Sequence, residues 1–224
     1  MSLFITFEGP EGSGKTTQCR ELTKDLASLG YSALHTREPG GTHIGQQIRT
    51  VLLDDGNTEM NPVTEFLLFS ASRAQLVRQT IRPHLEQGGI VVCDRYFDSS
   101  LAYQGHGHGL DLGTLRLITE LATDGLTPDL TFLLDIDPEV GLRRRDVNRM
   151  QSNRLDAYAL NFHHMARQGF LDLARGDSER WMIVDAGQST QEVQSKIRTH
   201  VLSVLERENQ GRSVSQVHGE PGSA

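Results

Sequence analysis

A parallel β-sheet covered by helices on both faces is the fold class this sequence predicts, and three observations predict it. Five short apolar runs, Leu3–Phe7, Ser32–His35, Ile90–Cys93, Leu130–Ile136 and Trp181–Val184, alternate with longer segments of helical period. Such alternation marks strands joined by crossover helices. Chemically versatile residues follow the runs directly, as they do where a ligand lies at the carboxyl ends of parallel strands. The length of 224 residues suits one sizeable core, so a single domain is expected over residues 1–208.

Each element has its own justification. The first run leads into Gly9-Pro10-Glu11-Gly12-Ser13-Gly14-Lys15-Thr16, followed by Thr17, which matches G-x-x-x-x-G-K-[ST]. The glycines of such a loop turn backbone N–H groups inward around nucleotide phosphates, the lysine reaches the β and γ phosphates, and the Thr16 hydroxyl suits Mg²⁺. Leu22, Leu26 and Leu29 at i, i+4, i+7 then read as the buried stripe of a helix. After the second run comes Thr36-Arg37-Glu38-Pro39-Gly40-Gly41-Thr42, and after the third Asp94-Arg95-Tyr96. The fourth ends near Asp137-Pro138, where Asp137 can cap a helix that Pro138 opens. Asp185-Ala186-Gly187 follows the fifth, and Val193, Ile197, Val201 and Val204 mark a last helix that packs back on the sheet. Beyond Arg207 the apolar period stops, so residues 209–224 read as a disordered tail.

Composition excludes several classes. Acidic residues outnumber basic ones 29 to 22, for a net charge of -7, which argues against nucleic acid or an anionic membrane as the main partner. The apolar runs are far shorter than the roughly 20 residues that span a bilayer, and the first residues carry no signal-peptide pattern. Cys19 and Cys93 have no metal or disulfide spacing, so they read as buried reduced thiols in a cytoplasmic protein. The nine histidines, among them His106, His108, His163 and His164, read as surface or packing residues.

A phosphate loop alone leaves a kinase, an ATPase motor and a GTPase switch open. No Asn-Lys-x-Asp guanine-reading element is present, and the chain is short for a motor. Arg143, Arg144, Arg145, Arg149 and Arg154 fall within a span of about 141–156 that holds little apolar material. They suit a lid whose guanidiniums stabilise a transferring phosphoryl group, an effect worth about 10³ to 10⁵ in rate. The competing reading is a solvated helix face paired with Asp146 and Asp156, and the phosphate loop tips the balance toward a lid. Asp94, at a strand end, can orient the Mg²⁺ shell, and Arg95 can hold two phosphates that would otherwise repel.

Four blocks in order then resemble the bacterial thymidylate kinases. They are Phe4 to Thr17, Arg37 to Thr42, Leu67-Leu68-Phe69-Ser70-Ala71-Ser72-Arg73-Ala74-Gln75, and Asp94 to Gly105, with the resemblance covering nearly all of residues 3–205. It implies the nucleoside-monophosphate-kinase type of phosphate-loop fold, strand order 2-3-1-4-5, a homodimer, and transfer of the γ-phosphate of ATP to dTMP with Mg²⁺. Residue by residue it implies that Phe69 stacks on thymine, Arg73 bonds the base carbonyl, and Ser100 and Gln104 lie at the base edge. By the same resemblance Tyr103 leaves no room for a 2′-hydroxyl, Glu11 reaches the 3′-hydroxyl, Pro39 packs near the sugar, and Arg144 covers adenine opposite Ala186-Gly187. Glu11 in the phosphate loop, together with lid arginines, is similar to the bacterial subtype whose transition-state arginine comes from the lid.

Two departures stand out. The lid ends in Asn153-Arg154-Leu155-Asp156 where the family often has Asp-Arg-Ile-Glu, and Phe170 stands near a common tyrosine. Arg149 and Arg154 of the lid stand as candidate catalytic residues with Lys15, Asp94 and Arg95, and the choice among Arg144, Arg145 and Arg149 stays open. No general base is needed, since a phosphate monoester with a second pKa near 6 is already mostly dianionic at neutral pH. A kinase for a deoxynucleoside or another monophosphate and a non-catalytic nucleotide-binding regulator remain as alternatives.

Overall fold

The computed structural model describes residues 2–147 and 154–217. Among them, five parallel strands form one sheet in the order β2-β3-β1-β4-β5, with β1 Leu3–Glu8, β2 Ala33–Arg37, β3 Ile90–Asp94, β4 Leu130–Asp135 and β5 Trp181–Asp185. The central strand pairs with β3 from Leu3↔Ile90 to Phe7↔Asp94 and with β4 from Ile5↔Leu130 to Glu8↔Leu133. Strand order reverses on either side of β1, so the loop leaving it opens at the topological switch point.

Alternation along β1 separates two cores. Leu3, Ile5 and Phe7 pack with Leu22 and Leu26 of α1 (Lys15–Ser28) and with Val193, Ile197, Val201 and Leu205 of α9 (Thr190–Val217). Phe4 faces the other way, against Leu76, Val77, Ile81 and Tyr96. Thr6 and Glu8 share that second face and are fully buried. Thr6 Oγ1 bonds Thr131 Oγ1 at 2.9 Å, and Glu8 serves the site described below. Two expected stripe positions differ. Leu29 lies just past the end of α1 and is 48% exposed, and Leu205 takes the buried place at the end of the α9 stripe, with Val204 half-buried.

Local sequence explains the helix starts between the strands. Thr42 caps α2 (His43–Leu53) by accepting from the Gly45 N–H at 2.9 Å, and Asn61 caps α3 (Pro62–Leu76), which opens on Pro62. A π-turn over Val77–Ile81 joins α3 to α4 (Arg82–Glu86). After β3, α5 (Phe97–Ser100) runs into a wide turn over Leu101–Gly107, and α6 (Leu112–Thr123) begins at the Asp111 cap. Asp137 Oδ1 accepts the Glu139 N–H at 3.0 Å at the head of α7 (Pro138–Val147), as its sequence predicts. A 3₁₀ turn, Arg154–Ala157, precedes α8 (Leu160–Gly176).

The last helix corrects one boundary. It continues to Val217, past the expected end at Arg207, because a formed helix adds one hydrogen bond per residue and no proline interrupts it before Pro221. Residues 218–224 lie outside the described residues. Both cysteines are buried and unpaired. No helix among the described residues is long and apolar enough to cross a membrane.

Candidate active site

The phosphate loop occupies the switch point between β1 and α1. Gly12 adopts φ +69, and a Cβ there would come within 1.9 Å of the Gly141 carbonyl oxygen, so glycine alone lets the loop pack against α7. Lys15 folds across the loop, donating from Nζ to Gly9 O (3.0 Å), Pro10 O (2.7 Å) and Ser13 Oγ (3.1 Å). Burial and the Arg95 charge lower its pKa, Glu11, Asp94 and Glu8 oppose them, and the ammonium is left at about 8. Thr16 Oγ1 donates to Asp94 Oδ2, and Thr17 stands exposed in the first turn of α1.

Arg95 links this loop to the next cavity. Its backbone has φ +69, a region few non-glycine residues enter, and its N–H is held by Phe7 O at 3.0 Å. Nη1 donates to Gly9 O and Ser99 Oγ, both at 3.1 Å, while Nη2 donates to Glu11 Oε1 at 2.7 Å and Tyr103 OH at 3.3 Å. Arg145 Nη1 takes the other Glu11 oxygen, Oε2, at 2.9 Å. Burial would raise the Glu11 pKa, but Arg95, Lys15 and Arg145 outweigh it and hold it at about 2. Beneath them Glu8 accepts from Tyr96 N (2.7 Å) and Ser99 Oγ (2.6 Å), and burial with the Asp98 charge pushes its pKa up.

A cleft of about 620 Å³, counting its open mouth, continues from Glu11 and Arg95. Pro39, Arg49, Phe69, Ser100, Tyr103 and Gln104 line it, with Leu155 and Phe162 closing one side. Arg73 lies behind this wall at 1% exposure, with Nε on Glu38 Oε2 (2.8 Å) and Nη2 on Ser100 Oγ (3.0 Å). Its third nitrogen, Nη1, is buried without a hydrogen-bond partner among the described residues. A buried unpaired donor is costly, and a ligand acceptor would relieve it. Burial outweighs Arg73 at Glu38 and lifts that carboxyl to about 7. Tyr103 sets its ring against Phe162 and Phe170, at centroid distances of 6.0 and 5.7 Å.

The structure thus brings Lys15, Thr16, Asp94, Arg95 and Glu11 together, and beside them Pro39, Phe69, Arg73, Ser100, Tyr103 and Gln104. Arg144 sits apart, donating to Ala186 O at 2.8 Å and Gly187 O at 3.5 Å. Arg149 lies outside the described residues. Arg154 differs from its expected role at a transferring phosphate. It is 6% exposed and donates to Leu52 O (3.1 Å), Tyr158 OH (2.7 Å) and Glu65 Oε2, so as placed it neutralises a buried carboxylate on the far wall of the cleft. Sequence reasoning passed over Arg49, Glu38, Glu65 and Phe162. Arg49 had a signal, a cation within the helix that starts directly after the Arg37 to Thr42 block, whereas a buried Glu65 inside a helical pattern had none.

Comparison with known proteins agrees over most of the chain. The family model described as Thymidylate kinase matches residues 7–197. A thymidylate kinase of Deinococcus radiodurans is 54% identical over 195 residues, covering 87% of this chain and 94% of its own. One of Roseiflexus castenholzii is 53% identical over 218 residues, covering 92% and 95%. Among solved structures, the thymidylate kinase of Ehrlichia chaffeensis superposes with a TM-score of 0.71 at 33% identity, over 91% of this chain and 98% of that one.

Proposed function

The chain belongs to the thymidylate kinase family, and from that premise we propose how its residues share the transfer of the γ-phosphate of ATP to dTMP, giving dTDP and ADP. One observation carries the assignment of roles. Arg95 bonds the phosphate loop through Gly9 O and at the same time lines the adjoining cleft, so a single guanidinium serves donor and acceptor sides.

ATP lies along Gly9 to Thr17, with Lys15 leaving its loop carbonyls for the β and γ phosphates and Arg144 over adenine against Ala186 and Gly187. dTMP occupies the cleft, its base between Phe69 and the readers Arg73, Ser100 and Gln104, and its sugar near Pro39, Glu11 and Tyr103. Arg49 and Arg95 face its phosphate. Transfer then rests on alignment and charge neutralisation by Lys15, Arg95 and arginines of the segment at about 141–156, in line with the requirements of phosphoryl transfer. Arg145 is the described member of that segment that reaches the junction, through Glu11.

A Mg²⁺ ion fits the residues present. Thr16 and Asp94 offer hard oxygen donors in mutual contact, and Mg²⁺ is usually held by one or two carboxylates plus substrate phosphates rather than by a full protein cage. When bound it would neutralise charge on the β and γ oxygens. Thr16 and Asp94 would hold it.

We take residues 1–208 as one catalytic domain and a homodimer as its working form. Val63, Leu67, Leu117 and Leu121 on the neighbouring helices α3 and α6 are 48 to 75% exposed, an apolar face that suits a second copy. The free thiols and the two nucleotide substrates suit the cytoplasm. A coupled ADP-release assay across dTMP, dUMP, dCMP, dGMP and thymidine tests the reading. Turnover highest with dTMP supports it, and ADP release indifferent to acceptor overturns the cleft assignment. Sedimentation as a monomer at micromolar concentration would overturn the dimer.

A further inference from the structure

Glu65 on α3 has no part in the roles assigned so far, yet it is fully buried and four side chains converge on it. Tyr158 OH (2.9 Å) and Arg154 Nη2 donate to Oε2, Gln104 Nε2 donates to Oε1 at 2.8 Å, and His108 Nε2 lies 3.5 Å from Oε1. Burial favours the neutral acid, but the adjacent His108 ring, the hydrogen bonds from Arg154 and Gln104 and the Arg154 charge outweigh it and bring the pKa to about 2. Glu65 is therefore an anion that only accepts hydrogen bonds.

That property decides which way Gln104 faces. A glutamine amide has a donor end and an acceptor end, and only its NH₂ can meet an acceptor-only carboxylate. With Nε2 turned to Glu65, the carbonyl oxygen is the end left for the cleft that Gln104 lines. Behind Ser100, another lining residue, Arg73 keeps Nη1 without a partner among the described residues. At this end of the cleft the Gln104 carbonyl oxygen is left as an acceptor, and Arg73 Nη1, buried just behind the lining, as an unpartnered donor. A 4-oxopyrimidine presents the complement, N3–H beside O4, whereas cytosine presents the reverse, an N3 acceptor beside an amino donor.

We infer that Glu65, held in place by Arg154, is a positioning residue that sets pyrimidine specificity, by locking Gln104 with its carbonyl oxygen toward the base. The inference rests on the reading of the cleft as the dTMP site. It gives Arg154 a task in acceptor selection, at the base end of the substrate. Leu155, the next residue, lines the cleft, so the same anchor also fixes part of its wall.

The test is steady-state kinetics of wild type, Glu65→Gln and Glu65→Asp with dTMP, dUMP and dCMP. Glu65→Gln keeps the shape but can face Gln104 with either end of its amide, so Gln104 is no longer held one way round. The ratio of kcat/KM for dTMP to that for dCMP should fall about tenfold or more, since a site built around paired donors and acceptors rejects a mismatch strongly. The change should sit in acceptor KM, with the KM for ATP held within about twofold and the dTMP to dUMP ratio unmoved, because both are 4-oxopyrimidines. Glu65→Asp keeps the negative charge beside Arg154, and so protects the fold, while withdrawing the carboxylate by one methylene. Its ratio should fall between the other two. If both variants lose dTMP and dCMP activity in proportion, Glu65 is structural only and the inference is overturned. Wild-type protein that does not phosphorylate dTMP would instead overturn the functional reading beneath it.

Discussion

Replacing Arg73 with lysine separates base reading from the ion pair that supports it. Arg73 spends Nε on Glu38 and Nη2 on Ser100, and leaves Nη1 for a ligand. Arg73→Lys keeps a cation beside the buried Glu38, so the variant avoids the roughly 3 to 5 kcal/mol that follows from breaking a buried pair. It loses the planar fork, because an ammonium at the end of a flexible stem cannot hold three directed contacts in one plane. The missing bond to the base carbonyl is charge-assisted and worth about 1.5 to 3 kcal/mol, which corresponds to roughly a 10- to 150-fold weaker dTMP Kd. Loss of the Ser100 bond should lower stability by about 1 kcal/mol, or roughly 2 to 4 °C in Tm for a chain of this size. Titration calorimetry with dTMP and separately with an ATP analogue reads the two affinities, and coupled kinetics reads the two KM values. An ATP affinity that weakens as much as the dTMP affinity, or a dTMP affinity that does not change, would refute the assignment of Nη1 to the base.

Three further outcomes follow from the same geometry. Lys15→Ala should lower kcat by about 100-fold or more with little change in Tm, because its bonds are confined to the phosphate loop; near-normal turnover in the coupled assay would remove that lysine from the mechanism. Glu11 titrates at about 2 in the folded chain against an ordinary 4.5, so its contribution to stability is present above pH 4.5 and is lost as pH falls toward 2. A shift of that size is worth on the order of 3 kcal/mol, and Glu11→Gln should flatten that part of a Tm-against-pH curve; an unchanged curve would contradict the shared carboxylate. Asp98→Ala should destabilise the fold by about 3 to 5 kcal/mol in urea melts, since it leaves Arg180, now bonded to both Asp98 oxygens at 2.7 and 3.0 Å, without that partner, and a loss under 1 kcal/mol would speak against the pair.

How much of this was legible in the sequence depends on whether an argument needed one element or two. The strands were legible because β1, β3 and β4 are nearly continuous apolar runs, and the phosphate loop because its spacing is local. Phe69 and Arg73 were legible as neighbours on one helix face, and Asp94 and Arg95 as residues at a strand end. The contact of Arg154 with Glu65 was not legible because that partner lies 89 residues earlier, and spacing within a lid says nothing about a buried acceptor elsewhere. Leu29 was misread for a local reason, since the periodic stripe extends one residue beyond the helix that carries it. The end of α9 was misjudged by equating the end of apolar burial with the end of hydrogen bonding.

An acidic chain that must grip two polyanions poses a physical problem, and the buried carboxylates answer it. With a net charge of -7 the molecule has no general attraction for nucleotides. Four of its arginines at the site are instead directed by an acid: Glu38 holds Arg73, Glu11 holds Arg95 and Arg145, and Glu65 holds Arg154. Glu8 fixes Tyr96 N and Ser99, and Ser99 in turn meets Arg95, so the strained backbone at Arg95 is braced from below. Buried pairs of this kind add little net stability, because desolvation offsets most of their attraction. What they supply is direction: an arginine held at one end by a carboxylate presents its remaining donors along a fixed line, and loses less freedom when a phosphate or a base arrives. The acceptor phosphate then meets Arg95 already placed beside Gly9, with Glu11 holding Arg95 and Arg145 from the side of the sugar. Two anions can be brought nose to nose at that point because the protein has arranged its own anions to hold the cations still.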